Sequence, residues 1–417
     1  MELKINWQNK HIKQEFERYL NEHQAVLAEI VQGEVQFQNN LGWFDIDEWM
    51  SSEILECIKN FAEQVRKEAD IFVLIGVGGS NNAARSVIKA LATKNSPQVI
   101  YSGNTLSPHS LNQVLMQLEG KSVYIHCIAK NFETLEPGAS FRVLRQYMEQ
   151  RYGKDAYQRI SVTGTTNSRL HALSQQEGYE FFAFPDNVGG RFTSLTSVGL
   201  LPMAVAGVNI EQLVLAAKQL RSRLLTNDTN NIAYQYAALR NFLYQKGYRI
   251  ELLSSFEPQF NGFYKWWWQL FGESEGKKAR GIYPSYAEYS EDLHSIGQFV
   301  QEGNPIIFET MLNVEKPNSQ LLIKADTKID NFDYLDGQDF WDINQVAYRA
   351  TFEAHLETIP AIPELLLEAM DERAFGELFY FFQFSCYLSC KLMGVNPFDQ
   401  PGVEAYKERM FKALKQF

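Results

Sequence analysis

Residues 71–80 read Ile-Phe-Val-Leu-Ile-Gly-Val-Gly-Gly-Ser, five apolar residues running straight into a glycine turn. A run of strand length with no period-two alternation is a strand buried on both faces, as in a parallel sheet covered by helices. The pattern continues outward. Gln98–Tyr101, Ser122–Ile128 and Glu180–Phe184 read as further strands, with helical stretches at Ala83–Thr93, Leu111–Leu118, Gly138–Arg151 and Leu195–Ala206. Beyond a helical stretch from Glu211 to Tyr244, strands are expected at Arg249–Ser254, Gly281–Tyr283, Pro305–Thr310 and Ile359–Ile362. The expected fold is therefore α/β, with two doubly wound parallel sheets at residues 46–205 and 206–370. A helical segment at 1–45 precedes them, and helices at 371–417, the last at Val403–Phe417, pack on both.

Composition limits the function. The 417 residues hold 39 Lys plus Arg against 50 Asp plus Glu, a net charge of −11. This argues against a general affinity for nucleic acid or anionic membrane, so an anionic ligand needs a local positive site. Apolar residues make up 45% of the chain, enough for a large core. Gln383, Ser385, Ser389 and Lys391 interrupt the apolar stretch Leu378–Val395, which reads as a buried helix and not a membrane span. Met1–Asn9 lacks the apolar region of a signal peptide. The four cysteines form no C-x-x-C pair, which fits a reducing, cytoplasmic setting. The seven histidines show neither an H-x-x-x-H spacing nor clustered carboxylates, and no metal is expected.

Several segments are suited to chemistry. The turn Gly76–Ser80 would aim backbone N–H groups from a helix N-terminus at an anion, although the same glycines would also serve a plain tight turn. It is no dinucleotide fingerprint: the third glycine position is Asn81, and no Asp or Glu occurs between Asp70 and Glu119. Ala129–Pro137 (AKNFETLEP) offers Lys130, Asn131 and Thr134 as a second phosphate contact, or is a solvated loop. Arg191 follows Gly189 and Gly190, a permanent cation on a backbone free to approach a ligand. Gln269–Lys277 fails as a nucleotide loop, since Lys278 stands where Ser or Thr is required, but it leaves Glu273 and Glu275 as carboxylates for a general base. His294 has the most polar company of the histidines. Lys407 lies three residues after Glu404, a spacing that equally suits a surface ion pair.

Taken together, residues 188–207 (VGGRFTSLTSVGLLPMAVAG), 266–277 (WWWQLFGESEGK), 292–303 (DLHSIGQFVQEG) and 394–407 (GVNPFDQPGVEAYK) resemble, in content and order, the glucose-6-phosphate isomerase family. The resemblance implies a pair of sugar-isomerase (SIS-like) domains. It also implies a metal-free, cofactor-free aldose–ketose isomerisation of glucose 6-phosphate and fructose 6-phosphate, in a cytoplasmic homodimer with shared active sites. Glu273 is then the base that shuttles a proton between carbons 2 and 1 through a cis-enediol. An unperturbed glutamate, with a pKa of about 4.3, is ionised at neutral pH and needs only positioning.

Arg191 would steady the enediolate oxygen. His294 and Lys407 would open the sugar ring, and in the family the histidine reaches in from the partner subunit. Gly79, Ser80, Lys130, Asn131 and Thr134 fall where phosphate is cradled, Gly190, Gln269 and Gln400 where the sugar is held, and Glu136 near the histidine. Departures concentrate in the phosphate loop: Ala129 replaces a serine, Asn131 a hydroxyl residue and Glu133 a threonine, while Thr193 stands where serine is usual. The loop motivates an alternative phosphosugar such as mannose 6-phosphate. A non-catalytic sugar-phosphate-binding regulator is the other alternative, and Glu273, His294 and Lys407 speak against it.

Overall fold

The computed structural model describes residues 1–33 and 36–415 and holds ten strands among them. They are β1 (Glu2–Trp7), β2 (Ile71–Ile75), β3 (Gln98–Ser102), β4 (Val123–Ile128), β5 (Ile160–Gly164), β6 (Glu180–Ala183), β7 (Ile250–Ser255), β8 (Tyr283–Glu288), β9 (Ile307–Val314) and β10 (Ala361–Leu367). The first sheet has the order β3-β2-β4-β5-β6 and is parallel throughout. All five residues of β2 and all six of β4 are buried, because helices cover both faces. After β3 the chain returns to the far side of β2 to form β4. The loops leaving these neighbours therefore diverge, opening a crevice at the carboxyl ends where open α/β sheets bind ligands.

The second sheet, β1-β10-β9-β7-β8, is parallel except at one edge. There β1 pairs antiparallel with β10, from Glu2 opposite Leu366 to Trp7 opposite Ala361. The expectation of an all-helical opening segment is corrected here. Helices do occupy Lys10–Glu22 and Ala25–Gly33, but the first residues alternate across an exposed sheet edge that would otherwise lack a partner. The expectation of a wholly parallel second sheet is corrected with it.

β5 was not anticipated, since Ser161 and Thr163 make it look polar. Both hydroxyls are buried and serve His126 on β4: Ser161 Oγ lies 2.8 Å from its Nδ1 and Thr163 Oγ1 3.0 Å from its Nε2. β8 begins where the sequence reading ended it, at Tyr283.

The two sheets are joined by helix Gly79–Leu91, which packs on helix Asn261–Glu275. A Cβ on Gly262 would stand 2.8 Å from Ser86 Cα, so glycine lets these backbones approach closely. One hydrophobic cluster runs through both units, from Phe72 and Ala84 to Trp266 and Phe382. A second lies on the other face of the first sheet, around Val73, Phe141 and Leu144. Helix Glu372–Met393 is almost wholly buried, as read from the sequence, and no helix among the described residues is long and apolar enough to cross a membrane. The last helix spans Glu404–Leu414; the end of its expected range, residues 416–417, lies outside the described residues.

Candidate active site

The glycine turn after β2 is a built device. Gly78 has φ 59° and ψ −126°, a conformation open in practice to glycine alone. Asn81, the residue that spoils the dinucleotide fingerprint, donates through Nδ2 to the Gly76 carbonyl at 2.7 Å and locks the turn from within. Helix Gly79–Leu91 starts here, with Ser80 half-buried in its first turn. A Cβ on Gly79 would collide with the Gly190 carbonyl oxygen, so the turn and the segment carrying Arg191 meet backbone to backbone.

Arg191 is buried, with every guanidinium nitrogen engaged. Nε donates to Ser274 Oγ at 2.9 Å, and Nη1 donates to Glu273 Oε2 at 2.8 Å and to Gln400 Oε1 at 2.9 Å. Nη2 donates to the carbonyls of Pro397 at 2.6 Å and Asp399 at 3.3 Å. A planar fork with five donors suits this task better than an ammonium does. One residue thus ties the first sheet's loop, the Glu273 helix and the segment before the last helix into one site.

Glu273 projects from the last turn of helix Asn261–Glu275 with its side chain 38% exposed, open to a ligand on one side and held by Arg191 on the other. Its other oxygen accepts from Gln269 Nε2 at 3.0 Å, while Gln269 Oε1 accepts from Asn82 Nδ2 at 2.9 Å. The relay Asn82–Gln269–Glu273 fixes the carboxylate plane. Lys277 closes the far end, donating to the Ser274 carbonyl at 2.9 Å and to the Asn396 carbonyl, with Asp399 3.2 Å away. Burial pushes its ammonium below the ordinary lysine value. Asn82, Ser274 and the anchoring role of Lys277 escaped the sequence reading. The only signal for them was polar residues near the ends of two helices that prove to be packed together.

The loop after β4 opens on the same crevice. Ala129 is buried, its N–H bonded to the Thr163 carbonyl at 3.0 Å, so the missing serine leaves an apolar strand end. Asn131 and Thr134 are exposed, and Thr134 precedes helix Leu135–Tyr152 without capping it through its hydroxyl. Glu136 is half-buried in that helix's first turn. Glu133 lies on the wall of an outer groove shared with Arg142, Arg145 and Arg169. Lys130 points elsewhere, donating to the Asp186 carbonyl at 2.8 Å and the Val188 carbonyl at 3.0 Å.

Two expected site residues are not joined to this cluster within the chain. His294 ends the exposed turn Glu291–His294 after β8, and its imidazole makes no hydrogen bond or ion pair among the described residues. Lys407 sits in the first turns of helix Glu404–Leu414 and pairs with Glu404 at 3.1 Å.

Comparison with known proteins decides the ancestry of this arrangement. The phosphoglucose isomerase family matches residues 51–290, a span holding the glycine turn, Arg191 and Glu273. The chain belongs to the phosphoglucose isomerase family.

Among proteins similar to it, a glucose-6-phosphate isomerase of Shouchella clausii is 44% identical over 390 residues, covering 90% of this chain and 86% of the relative. One from Caldanaerobacter subterraneus is 42% identical over 413 residues, covering 95% and 91%. A hypothetical protein from Thermus thermophilus superposes with a TM-score of 0.90 at 25% identity, covering 99% of this chain and all of that one. A glucose-6-phosphate isomerase from Chlamydia trachomatis, at 17% identity, shares the fold with a TM-score of 0.76 over 96% of this chain and 86% of its own. A phosphoglucose isomerase family member thus carries the Arg191–Glu273 pair at the meeting of its two sheets.

Proposed function

We propose that this chain interconverts glucose 6-phosphate and fructose 6-phosphate. The observation that carries the reading is the Arg191–Glu273 contact at 2.8 Å, a half-exposed carboxylate beside a fully engaged guanidinium. The kinship with proteins named glucose-6-phosphate isomerase supports it.

In the open-chain aldose, the Glu273 carboxylate takes the carbon 2 proton. The freed electron pair forms a carbon 1–carbon 2 double bond, and the carbon 1 oxygen gains a proton to complete a cis-enediol. Glu273 then returns its proton to carbon 1 as the carbon 2 hydroxyl loses one and becomes the ketone. Charge developing on the oxygens falls beside Arg191, whose hydrogen bonds hold it there in advance, so little reorganisation is needed during reaction. Gln269 and Gln400 flank the carboxylate and suit the sugar hydroxyls. Gly79 and Ser80 at one helix N-terminus, with Asn131 and Thr134 at another, suit the phosphate. The proposed reaction draws on these side chains without a metal or cofactor.

Ring opening is assigned to His294 and Lys407 in a homodimer, where an exposed imidazole of one chain would complete the site of the other. The exposure of His294 and the lack of a bonding partner for its imidazole among the described residues support this reading. The proposed setting is cytoplasmic, which suits four free cysteines.

A coupled assay with glucose, fructose and mannose 6-phosphates, run in deuterated water, tests the proposal. Conversion of the glucose and fructose esters in both directions, with deuterium entering at carbons 1 and 2, is expected. Absence of turnover with both esters rejects it, and preference for the mannose ester would reassign the substrate.

A further inference from the structure

Lys130 sits in the loop expected to cradle phosphate, yet its ammonium is already occupied. Two of its three donors reach the carbonyls of Asp186 and Val188, at 2.8 and 3.0 Å, and the Phe184 ring lies 5.6 Å away. These acceptors belong to the segment that runs through Gly189 and Gly190 into Arg191. We infer that the Lys130 side chain is a positioning residue for Arg191 and not a phosphate ligand.

The same segment is gripped from its other side. Asn187 Oδ1 accepts from Trp49 Nε1 at 3.0 Å, Asn187 Nδ2 donates to Glu48 Oε1 at 2.9 Å, and the Gly42 N–H donates to the Asn187 carbonyl at 3.1 Å. Val188 is fully buried between the two grips. The geometry explains why a cation is needed at 130. The Asp186 and Val188 carbonyls turned to one side repel one another, and a compact ammonium gathers them without the span a guanidinium demands. The glycines that follow have no side chains to hold their own course, so the direction in which Arg191 leaves the turn is set upstream. Phosphate is left to the Ser80 and Thr134 hydroxyls and the Asn131 amide, beside the N-termini of the two helices.

The inference rests on the isomerase reading for its kinetic part, so the experiment also carries readouts that need no turnover. Lys130→Met removes the ammonium and keeps much of the stem. Lower kcat by about tenfold or more, with the calorimetric Kd for inorganic phosphate within about twofold of the parent, is expected. Hydrogen exchange should quicken at residues 186–192 and stay unchanged at 131–136.

Asn187→Ala loosens the same segment from the opposite side and should reproduce both the kcat loss and the unchanged phosphate Kd; it also serves if Lys130→Met does not fold. Phosphate binding weakened about tenfold or more by Lys130→Met would overturn the inference, because that is the signature of a lost ligand. Unchanged exchange at 186–192 would overturn it too. A parent protein with no isomerase activity would be a failure of the functional reading alone, and the exchange and phosphate measurements would still decide the role of Lys130.

Discussion

Gly79 and Gly190 meet so closely that a methyl group on the first would collide with the carbonyl oxygen of the second and stand 2.9 Å from the Arg191 nitrogen. The glycine turn of the first sheet and the arginine that faces the Glu273 carboxylate are thereby built on one backbone contact. Gly79→Ala should push this contact apart and lower stability by about 1–3 kcal/mol, the usual cost of overpacking. Activity should fall further than stability, since Arg191 moves with the backbone. Urea unfolding together with kcat would show it, and an unchanged kcat would remove the contact from the catalytic account.

Glu273→Gln replaces the proposed proton acceptor with an isosteric amide. Turnover is expected to drop by about 10²–10⁴-fold, the span general base catalysis supplies, while sugar-phosphate binding stays measurable by calorimetry. The amide can still accept from Arg191 through its oxygen, so the site should keep its shape. A variant that turned over near the parent rate would show that another group removes the proton.

Mixing Glu273→Gln and His294→Ala chains tests whether the site is shared. If each site joins Glu273 of one chain to His294 of another, every heterodimer carries one intact site, and an equal mixture recovers about a quarter of parent activity by symmetry. Two inactive proteins that stay inactive after subunit exchange, shown by light scattering or native mass spectrometry to have exchanged, would confine the site to one chain.

Arg240 is fully buried and paired with both Glu251 and Glu275, the latter 2.7 Å away. Arg240→Met leaves two carboxylates in the core without a cation, and removing one member of a buried ion pair costs about 3–5 kcal/mol. Because Glu275 ends the helix that carries Glu273, the effect should reach the site as well. Denaturant midpoints measure it; a change of less than about 1 kcal/mol would mean that the carboxylates find other partners.

His126 gives the fold an acid limit. Burial pushes its imidazole down from an ordinary 6.5 to about 3. Between these values the unfolded chain binds a proton that the folded chain refuses. This contribution is whole above pH 6.5 and is lost progressively as pH falls toward 3. His126→Gln retains hydrogen-bonding capacity toward Ser161 and Thr163 without titrating. It should be less stable at neutral pH yet lose less on moving from about pH 7 to about pH 4, read from urea midpoints.

Local pattern was enough for β2, β4 and the long buried helix Glu372–Met393, because unbroken apolar runs admit few environments. It misled where a strand's polar residues were answered from a neighbouring strand, as Ser161 and Thr163 are by His126. It also misled at Glu2–Trp7, whose partner β10 lies at the opposite end of the sequence. Lys130 marks the same divide within the site: its residue type pointed to phosphate, but carbonyls 56 and 58 residues away claimed its donors.

From the chain alone came the α/β class, the glycine turn, the guanidinium at 191 and the pair of carboxylates at 273 and 275, each legible because a short stretch constrains its own backbone or charge, while the family resemblance singled out Glu273 of the pair. Tertiary structure alone decided what those groups touch. Arg191 is 82 residues from Glu273 and 209 from Gln400, and only tertiary packing, including that of the turn Gly190–Phe192 on helices Gly79–Leu91 and Asn261–Glu275, brings their hydrogen-bonding atoms within reach. Hydrogen bonds and ion pairs act over a few ångströms of space, a distance on which separation along the chain has no bearing.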